Sequence, residues 1–99
     1  MLTVITRVDL AEDVVDEWDA AMRDRMSTAE NVEGWVSSAV LRPVDSPHRR
    51  VILGVWESRR HWQAWHEDPR FEATRRRLDG LGVDDGDTVW HDQVYSALR

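Results

Sequence analysis

Two residues near the C-terminus, His91 and Tyr95, carry side chains that could take part in acid–base chemistry. The unperturbed pKa of histidine lies near neutrality, so His91 could accept or donate a proton in a catalytic step. Gln93 and Tyr95 follow His91 at alternate positions, and alternate side chains of a β-strand share one face. We therefore predict that His91 and Tyr95 act as proton acceptor and hydrogen-bond donor if this face lines a pocket; the alternative is a structural histidine at a subunit interface.

Other clusters of polar side chains lack the spacing that a dedicated site needs. His61 and His66 are five residues apart, whereas a helical metal pair is separated by four. The run Asp84–Asp87 lacks the glutamate that closes a calcium loop, and Arg75–Arg77 stand at a helix end, where positive charge is favoured. Cysteine is absent, which excludes thiolate catalysis and cysteine-ligated clusters. We predict no metal site.

Composition describes a small globular domain. The 99 residues include 13 Arg, no Lys and 19 acidic side chains, and the formal charge of −6 opposes binding to nucleic acid. No apolar run approaches the roughly 18 residues of a membrane span, and Met1–Leu10 lacks the features of a signal peptide. We expect one cytoplasmic domain over residues 1–99 that binds neither membranes nor nucleic acids.

Hydrophobic periodicity predicts the elements that must position these side chains, in the order βαββαβ. Apolar residues recur at helical spacing over residues 11–26, whereas the first strand alternates, with Thr6 on the same face as Leu2, Val4 and Val8. The predicted strands are residues 2–8, 35–42, 50–57 and 88–98. A turn over residues 43–47 joins the two middle strands into a hairpin.

The second helical region is predicted to break in the middle. Ser58 is a suitable N-cap for a helix that carries Trp62 and Trp65. Asp68 and Pro69 then provide a new cap and a new first position, so a separate helix begins there and ends near Gly80.

The predicted fold class is α+β: a ferredoxin-like βαββαβ domain with a four-stranded antiparallel sheet and both helical regions on one face. Both sheet faces nevertheless carry apolar side chains. One middle strand is predicted to carry Val51, Leu53 and Val55 on one side and Ile52 and Trp56 on the other. Its hairpin partner is predicted to carry Trp35, Ala39 and Leu41 on one side and Val36 and Val40 on the other. Because the helices cover one face only, we predict a homodimer packed sheet to sheet.

Four stretches of the sequence follow a family pattern. They are Glu-Gly-Trp-Val-Ser-Ser-Ala-Val-Leu-Arg-Pro-Val (33–44), Gly-Val-Trp-Glu-Ser (54–58), His-Trp-Gln-Ala-Trp (61–65) and Asp-Pro-Arg-Phe (68–71). Together they resemble the antibiotic biosynthesis monooxygenase domain family. The resemblance implies a dimeric α+β barrel, and the family includes cofactor-free oxygenases of aromatic polyketides as well as haem-degrading enzymes.

The resemblance also implies a pocket between the sheet and the helices. Trp56 matches the strand-end tryptophan that lines this pocket in both oxygenase branches, and Thr6 and Arg7 lie on the first strand beside it. Thr6 stands where haem-degrading members have Asn, and Thr74 or Arg75 stands where they have the histidine that ligates iron. Because neither side chain is a normal haem ligand, haem is possible but not favoured, and no cofactor is expected.

Trp62 and Trp65 are predicted to bind substrate in the same pocket together with Thr74, although indole rings at these positions suit a hydrophobic core equally well. The leading hypothesis is a small cofactor-independent monooxygenase that acts on an aromatic, polyketide-like metabolite. One alternative is a haem-binding or haem-degrading relative that uses His61, His66 or His91 as axial ligand. The other is a non-catalytic dimeric module that binds a hydrophobic ligand.

Overall fold

A computed structural model describes residues 1–81 and 86–97 of the chain. Its strands and α-helices follow the order β1 (Leu2–Asp9), α1 (Val15–Ala29), β2 (Trp35–Leu41), β3 (Arg49–Trp56), α2 (Arg59–His66), α3 (Pro69–Leu78) and β4 (Asp87–Asp92). A 3₁₀ turn, Glu12–Val14, precedes α1. The α+β class and the predicted order of elements are therefore confirmed. Of the helices in these two segments, none is long and apolar enough to cross a membrane.

The sheet has the order β2-β3-β1-β4, and every neighbouring pair is antiparallel. β1 lies between β3 and β4 because each helical region carries the chain across the sheet before the next strand is added. The predicted ferredoxin-like arrangement is confirmed. One sheet face, which includes Val8, Val40, Ile52 and Trp56, packs against the helices.

The last strand is shorter than predicted. β4 ends at Asp92, not at residue 98, because β1 offers no further partner: Asp92 pairs with Leu2, and Gln93 makes one last main-chain bond to Met1. The alternation that the sequence shows beyond that point is not sufficient for a strand without a neighbour. Tyr95 is 84% exposed. Asp84 and Asp85 of the predicted turn lie outside the described residues.

Trp35 lies on the opposite sheet face from the one predicted. The β2–β3 register shifts between Trp35 and Ser37, so Val36 is an extra residue and Trp35 pairs with Trp56. A β-bulge of this kind reverses the alternation of side chains on its N-terminal side. Trp35 therefore packs into the core on the helix side of the sheet. It was predicted to lie on the same side of the strand as Ala39, and it does not.

The helix boundaries around α2 and α3 confirm the predicted break. The Ser58 side chain accepts a hydrogen bond from the His61 main-chain N–H, and Asp68 accepts one from Arg70, with Pro69 at the first position of α3. α1 differs from the prediction: its regular part begins at Val15 and continues to Ala29, one turn beyond the expected end.

A buried ion pair fixes the far end of the sheet to α1. Arg50 is only 5% exposed, and its guanidinium donates to both carboxylate oxygens of Asp19 at 2.9 and 3.0 Å. The same guanidinium donates to the main-chain oxygens of Pro47 and Arg49. The guanidinium group is planar, so the directions of its N–H donors are fixed. Because their acceptors lie on α1, on the turn before β3 and on β3 itself, Arg50 fixes these three parts of the chain relative to one another.

Residues 1–81 and 86–97 leave the sheet face opposite the helices uncovered. Strand alternation places Ile5 beside Leu53 on this face, and Leu53 beside Ala39. At its edges Leu41 and Val89 remain 46% and 39% exposed. We call this surface the open sheet face.

Candidate functional site

A cavity of about 610 Å³ lies between the helix-side face of the sheet and the three helices. This volume falls within the range of small-molecule sites. The sheet contributes Val4, Thr6, Gly54, Thr88 and Trp90 to its lining. The pairing of the strands therefore fixes where these lining side chains lie.

Five tryptophans and Phe71 line the cavity. Trp62 of α2 meets the ring of Trp90 edge to face, with centroids 5.3 Å apart, and Trp65 meets Phe71 of α3 in the same way at 5.6 Å. Trp18 of α1 also lines the cavity. Such walls present flat apolar surface to a ligand and suit a planar aromatic molecule.

Trp56 belongs to both the core and the cavity. It is 4% exposed and packs with Ala29, Trp65 and Phe71, yet it also lines the cavity. Its indole N–H makes no hydrogen bond within residues 1–81 and 86–97. No side-chain nitrogen or oxygen in those residues is both fully buried and without a partner, so this N–H keeps some exposure. The N–H is thus free to meet a ligand.

The main chain leaves space beside this indole. Gly54 lies on the same strand face as Trp56, and a Cβ atom at Gly54 would stand 3.4 Å from the indole nitrogen. Across the sheet, Gly54 pairs with Val4 and Ser38, which both line the cavity. The absence of a side chain at Gly54 therefore enlarges the cavity at its base.

His66, the last residue of α2, supplies an imidazole to the cavity. Its ring packs against Trp62 and Phe71, with centroids 4.0 and 4.3 Å apart. Its Nδ1 lies 2.9 Å from the main-chain oxygen of Trp62. Burial lowers the pKa of His66, and the nearby positive charges of Arg25 and Arg75 lower it further, although the bond to the Trp62 oxygen acts in the opposite direction.

Arg25 reaches the same part of the cavity from α1. Its Nε donates to the hydroxyl of Thr74 at 2.9 Å, and its guanidinium lies 4.1 Å from the centre of the Phe71 ring. Thr74 donates its own proton to the main-chain oxygen of Phe71. Burial, together with the charge of Arg75, lowers the pKa of Arg25 to about 10, so the guanidinium remains charged at neutral pH.

Of the residues predicted to bind substrate, Thr6, Trp62 and Trp65 line the cavity. Trp56, predicted as a catalytic residue that walls and positions the substrate, lines it too. The Thr6 hydroxyl shares a hydrogen bond with that of Thr88 at 3.0 Å. Thr74 lies behind the lining and reaches the cavity only through Arg25.

The remaining predicted residues lie elsewhere. Arg7 alternates with Thr6 and lies on the open sheet face, where it pairs with Asp87. His91 pairs with Thr3 on that face, and its Nδ1 lies 3.3 Å from the Thr3 oxygen. His91 and Tyr95 were predicted to act only if they face the pocket, and in this chain they do not. β4 directs Trp90 into the cavity, so its neighbour His91 lies on the other face, and the strand ends before Tyr95.

In the sequence analysis, neither His66 nor Arg25, which both line the cavity, is assigned a catalytic role. His66 appears there only as a rejected partner of His61 in a metal site and as a haem ligand in one alternative function, and Arg25 is given no role. A helical signal for His66 existed, since it lies four residues after Trp62 and so shares its helix face. No local pattern identifies Arg25, because its partners Phe71 and Thr74 are more than forty residues away.

Within the two described segments, no three histidine or acidic side chains converge as a metal site would require. The polar side chains that line the cavity are the hydroxyl groups of Thr6, Ser38 and Thr88, the imidazole of His66, the guanidinium groups of Arg25 and Arg75 and the carboxylate of Asp79.

The fold has many solved relatives. A Nitrosomonas europaea protein whose name carries the description antibiotic biosynthesis monooxygenase superposes with a TM-score of 0.89 at 18% identity, covering 96% of this chain and 100% of that chain. SnoaB, a cofactor-independent oxygenase from Streptomyces nogalater, gives 0.86 at 16% identity, with 96% and 94% covered. A conserved protein from Methanosarcina mazei gives 0.86 at 12% identity, with 91% and 89% covered. At these identities the similarity shows the fold.

Family membership rests on the sequence itself. The profile of the family described as antibiotic biosynthesis monooxygenase matches residues 1–77, a segment that includes β1 to α3 and so most of the cavity. This confirms the resemblance found in the four sequence stretches, and the protein belongs to the antibiotic biosynthesis monooxygenase family.

Proposed function

We propose that this protein is a cofactor-independent monooxygenase that oxidises a hydroxylated, polyketide-like aromatic compound with molecular oxygen in the cavity between sheet and helices. The observation that carries the proposal is His66: an imidazole held neutral inside an aromatic cavity, where it can remove a proton from a phenol or its keto tautomer. The family assignment and the fold shared with the cofactor-independent oxygenase SnoaB support the same reaction class.

The contact between His66 and Trp62 selects the reactive nitrogen. A carbonyl oxygen only accepts hydrogen bonds, so the Nδ1 atom beside it carries the proton. Nε2 then holds the lone pair, and it has no hydrogen-bond partner among the described residues. The lowered pKa keeps this form populated at neutral pH, as a general base requires.

An anthrone, whose keto form carries a CH₂ group between two aromatic rings, illustrates the chemistry. Transfer of one proton to Nε2 leaves an electron-rich anion, which passes one electron to O₂. The resulting radical and superoxide join through a new C–O bond, and the peroxide takes the proton back from His66. The hydroperoxide then loses water: the O–O bond breaks, the second C–H proton leaves and a C=O bond forms. Anthrone and O₂ thus yield quinone and water, and the substrate supplies all the electrons.

The aromatic rings of the cavity would orient the substrate and keep water away from its reacting atoms. The rings of Trp62 and Trp90 meet at a right angle on one side of the cavity, and the free N–H of Trp56 lies at its base. A planar substrate stacked on such surfaces would hold its oxygen beside His66, while the apolar environment protects the anion and the peroxide from bulk water. In this proposal Thr6 contributes a hydroxyl group from the sheet, and His91 and Tyr95 take no part.

We also propose that a second copy of the chain covers the open sheet face, as the sequence analysis predicted. Ile5, Leu53 and Ala39 form a continuous apolar row across three strands of that face. An uncovered apolar sheet is an association surface, and two copies related by a twofold axis would bury it against itself. The family assignment supports this pairing.

The direct test is oxygen consumption with a panel of hydroxylated anthrones and naphthols. We expect quinone to form with equal amounts of O₂ consumed, and His66→Gln to lower the rate by about a hundredfold, within the range for loss of a general base. His48→Gln changes an exposed histidine outside the cavity and should leave the rate unchanged. No oxygen uptake across the panel, or full activity of His66→Gln, would contradict the proposal.

The two alternative functions give different results in the same preparation. A non-catalytic binding module would bind these aromatics, seen by quenching of tryptophan fluorescence, without consuming oxygen. A haem-binding protein would shift the Soret band of haemin on titration. His66 is the one described imidazole in the cavity that could ligate iron, whereas Thr6 and Thr74 offer only hydroxyl groups that are already hydrogen-bonded.

A further inference from the structure

We infer that Arg25 recognises a negatively charged oxygen on the aromatic ligand, so that the cavity selects ionised aromatic compounds, either carboxylates or phenolates, over neutral ones. The inference concerns the substrate of the cavity and rests in that sense on the proposed function. It does not require turnover, because it predicts a difference in binding alone.

The guanidinium of Arg25 is half buried without an acidic partner. It donates one hydrogen bond to Thr74 and approaches the sulfur of Met22 at 3.9 Å. Within residues 1–81 and 86–97, no carboxylate oxygen lies within 4 Å of it, whereas Arg50 and Arg77 each contact an aspartate. Arg25 therefore keeps N–H donors that nothing in the described structure uses.

The burial of Arg25 and the positive charge beside it favour the binding of an anion to these N–H donors. Burial disfavours the charged guanidinium, and Arg75 on α3 adds a second positive charge, while Asp79 offsets it only in part. An anionic oxygen that entered the cavity would neutralise this excess and form charge-assisted hydrogen bonds, which are stronger than neutral ones. A negatively charged ligand should therefore bind this cavity more tightly than a neutral ligand of the same shape.

The contacts around Arg25 fix its direction. Thr74 donates its proton to the Phe71 main-chain oxygen, so its lone pairs are available to accept from Nε of Arg25. The guanidinium also lies 4.1 Å from the centre of the Phe71 ring. Two anchors on one helix therefore hold a side chain that comes from another helix, and less conformational entropy is lost when a ligand binds.

Arg25 and His66 act on the same region. Both pack against the ring of Phe71, the guanidinium at 4.1 Å and the imidazole at 4.3 Å from its centre. The guanidinium is near enough for its charge to lower the pKa of His66, so a ligand oxygen between the two groups would meet both a base that removes its proton and a cation that stabilises the resulting charge. This pairing explains why the ligand class should be an aromatic acid or an ionised phenol.

The test compares charged and neutral probes of equal shape under nitrogen, so that no oxidation contributes. We expect 2-naphthoate to quench tryptophan fluorescence with an affinity about tenfold or more above that of 2-naphthamide, because a hydrogen bond to a charged group is worth at least that factor. Arg25→Met, which keeps the apolar stem, should bring the two affinities to within about twofold of each other. Arg76→Met, at an exposed position on α3, should keep the native preference.

A second probe identifies the kind of anion. A nitrated naphthol absorbs visible light when ionised, so its pKa in the cavity can be measured directly. We expect this pKa to fall on binding to the native protein and not on binding to Arg25→Met. If the protein prefers naphthoate but does not lower the pKa of the naphthol, the site binds carboxylates only. If both effects are seen, it binds phenolates as well.

If Arg25→Met does not fold, as judged by thermal unfolding, Arg25→Lys replaces it. This variant keeps the charge but loses the planar donor fork and should retain only part of the preference for the anion. Equal affinity of the native protein for naphthoate and naphthamide, absence of binding by both, or a preference that survives in Arg25→Met would overturn the inference. None of these results depends on oxygen consumption, so failure here and failure of the oxygenase proposal are separate outcomes.

Discussion

The Nδ1 atom of His66 lies 2.9 Å from the main-chain oxygen of Trp62, one helical turn earlier. His66 is the last residue of α2, and its ring turns back along the helix to the carbonyl four residues earlier. That carbonyl is also the regular main-chain acceptor for the His66 N–H, so the side chain adds a second contact to it. The contact sets the tautomer of the imidazole that lines the cavity, because a carbonyl oxygen only accepts hydrogen bonds.

Catalytic activity should depend on pH with a single lower limit set by His66. Folding lowers the pKa of this imidazole below its ordinary value of 6.5, so the base is neutral above that pH and loses its lone pair only as the solution becomes more acidic. We expect kcat/KM to be level near neutrality and to fall below pH 6.5. His66→Gln should remove this limb from the pH profile of its residual activity.

Stability gives an independent check on the same group. Because the pKa is lower in the folded state, the unfolded chain binds a proton on His66 more readily, and acidification through pH 6.5 favours unfolding. The free energy of unfolding of the native protein should fall more steeply than that of His66→Gln over this window. Parallel pH curves for the two proteins would show that His66 is not held neutral.

Trp56→Phe should affect stability and binding together. The change removes indole volume from the core and the free N–H from the cavity, so we expect a loss of about 1–3 kcal/mol in unfolding free energy and an affinity for the aromatic ligand lower by about tenfold. Trp35→Phe is the matched control, since Trp35 packs in the same cluster but does not line the cavity. If both variants lose affinity only in proportion to stability, Trp56 has a structural role alone.

Gly54→Ala should reduce ligand binding without harming the fold. The new Cβ meets only the indole ring of Trp56, at 3.4 Å, and the main chain at this position needs no glycine-specific conformation. We expect the melting temperature to stay level or rise, because alanine restricts the unfolded chain by about 0.4–1 kcal/mol. Affinity should fall at Gly54→Ala and further at Gly54→Val. Isothermal calorimetry with thermal unfolding would detect the opposite pattern.

Asp19→Ala should destabilise the protein without changing the cavity. It would leave the Arg50 guanidinium, which is 5% exposed, without its carboxylate partner. Because Asp19 itself is partly exposed, we expect a loss of about 2–4 kcal/mol, at or below the usual cost of breaking a buried pair. Denaturant unfolding measures it, and Arg50→Met, which removes the buried charge, should cost less. An equal or greater cost for Arg50→Met would contradict this account.

Leu53→Glu should separate the proposed dimer into monomers. The substitution places a charge at the centre of the apolar row on the open sheet face, between Ile5 and Ala39. We expect light scattering at micromolar concentration to give a dimer mass for the native chain and a monomer mass for the variant. Val44→Glu, at a fully exposed turn position away from the sheet, should leave the dimer intact. A monomeric native protein would refute the pairing.

Local signals in the sequence were sufficient for the elements and their order. Alternation marks β1, Ser58 and Asp68 mark the starts of α2 and α3, and the structure shows both caps as hydrogen-bonded. These signals are reliable because each depends on contacts between residues at most a few positions apart. The same reasoning failed for Trp35, where one inserted residue reverses a strand face, and at β4, whose end is set by where β1 begins.

Strand and helix periodicity, together with a family pattern along the chain, were enough to predict the fold class, the family and a tryptophan-lined pocket that contains Trp56. Which polar groups enter that pocket depends on how distant elements pack. Arg25 meets Phe71 and Thr74 because α1 and α3 pack side by side, and His91 faces away because β4 pairs with β1 in one particular register. Contacts of this kind depend on the packing of distant segments, and no spacing in the sequence encodes them.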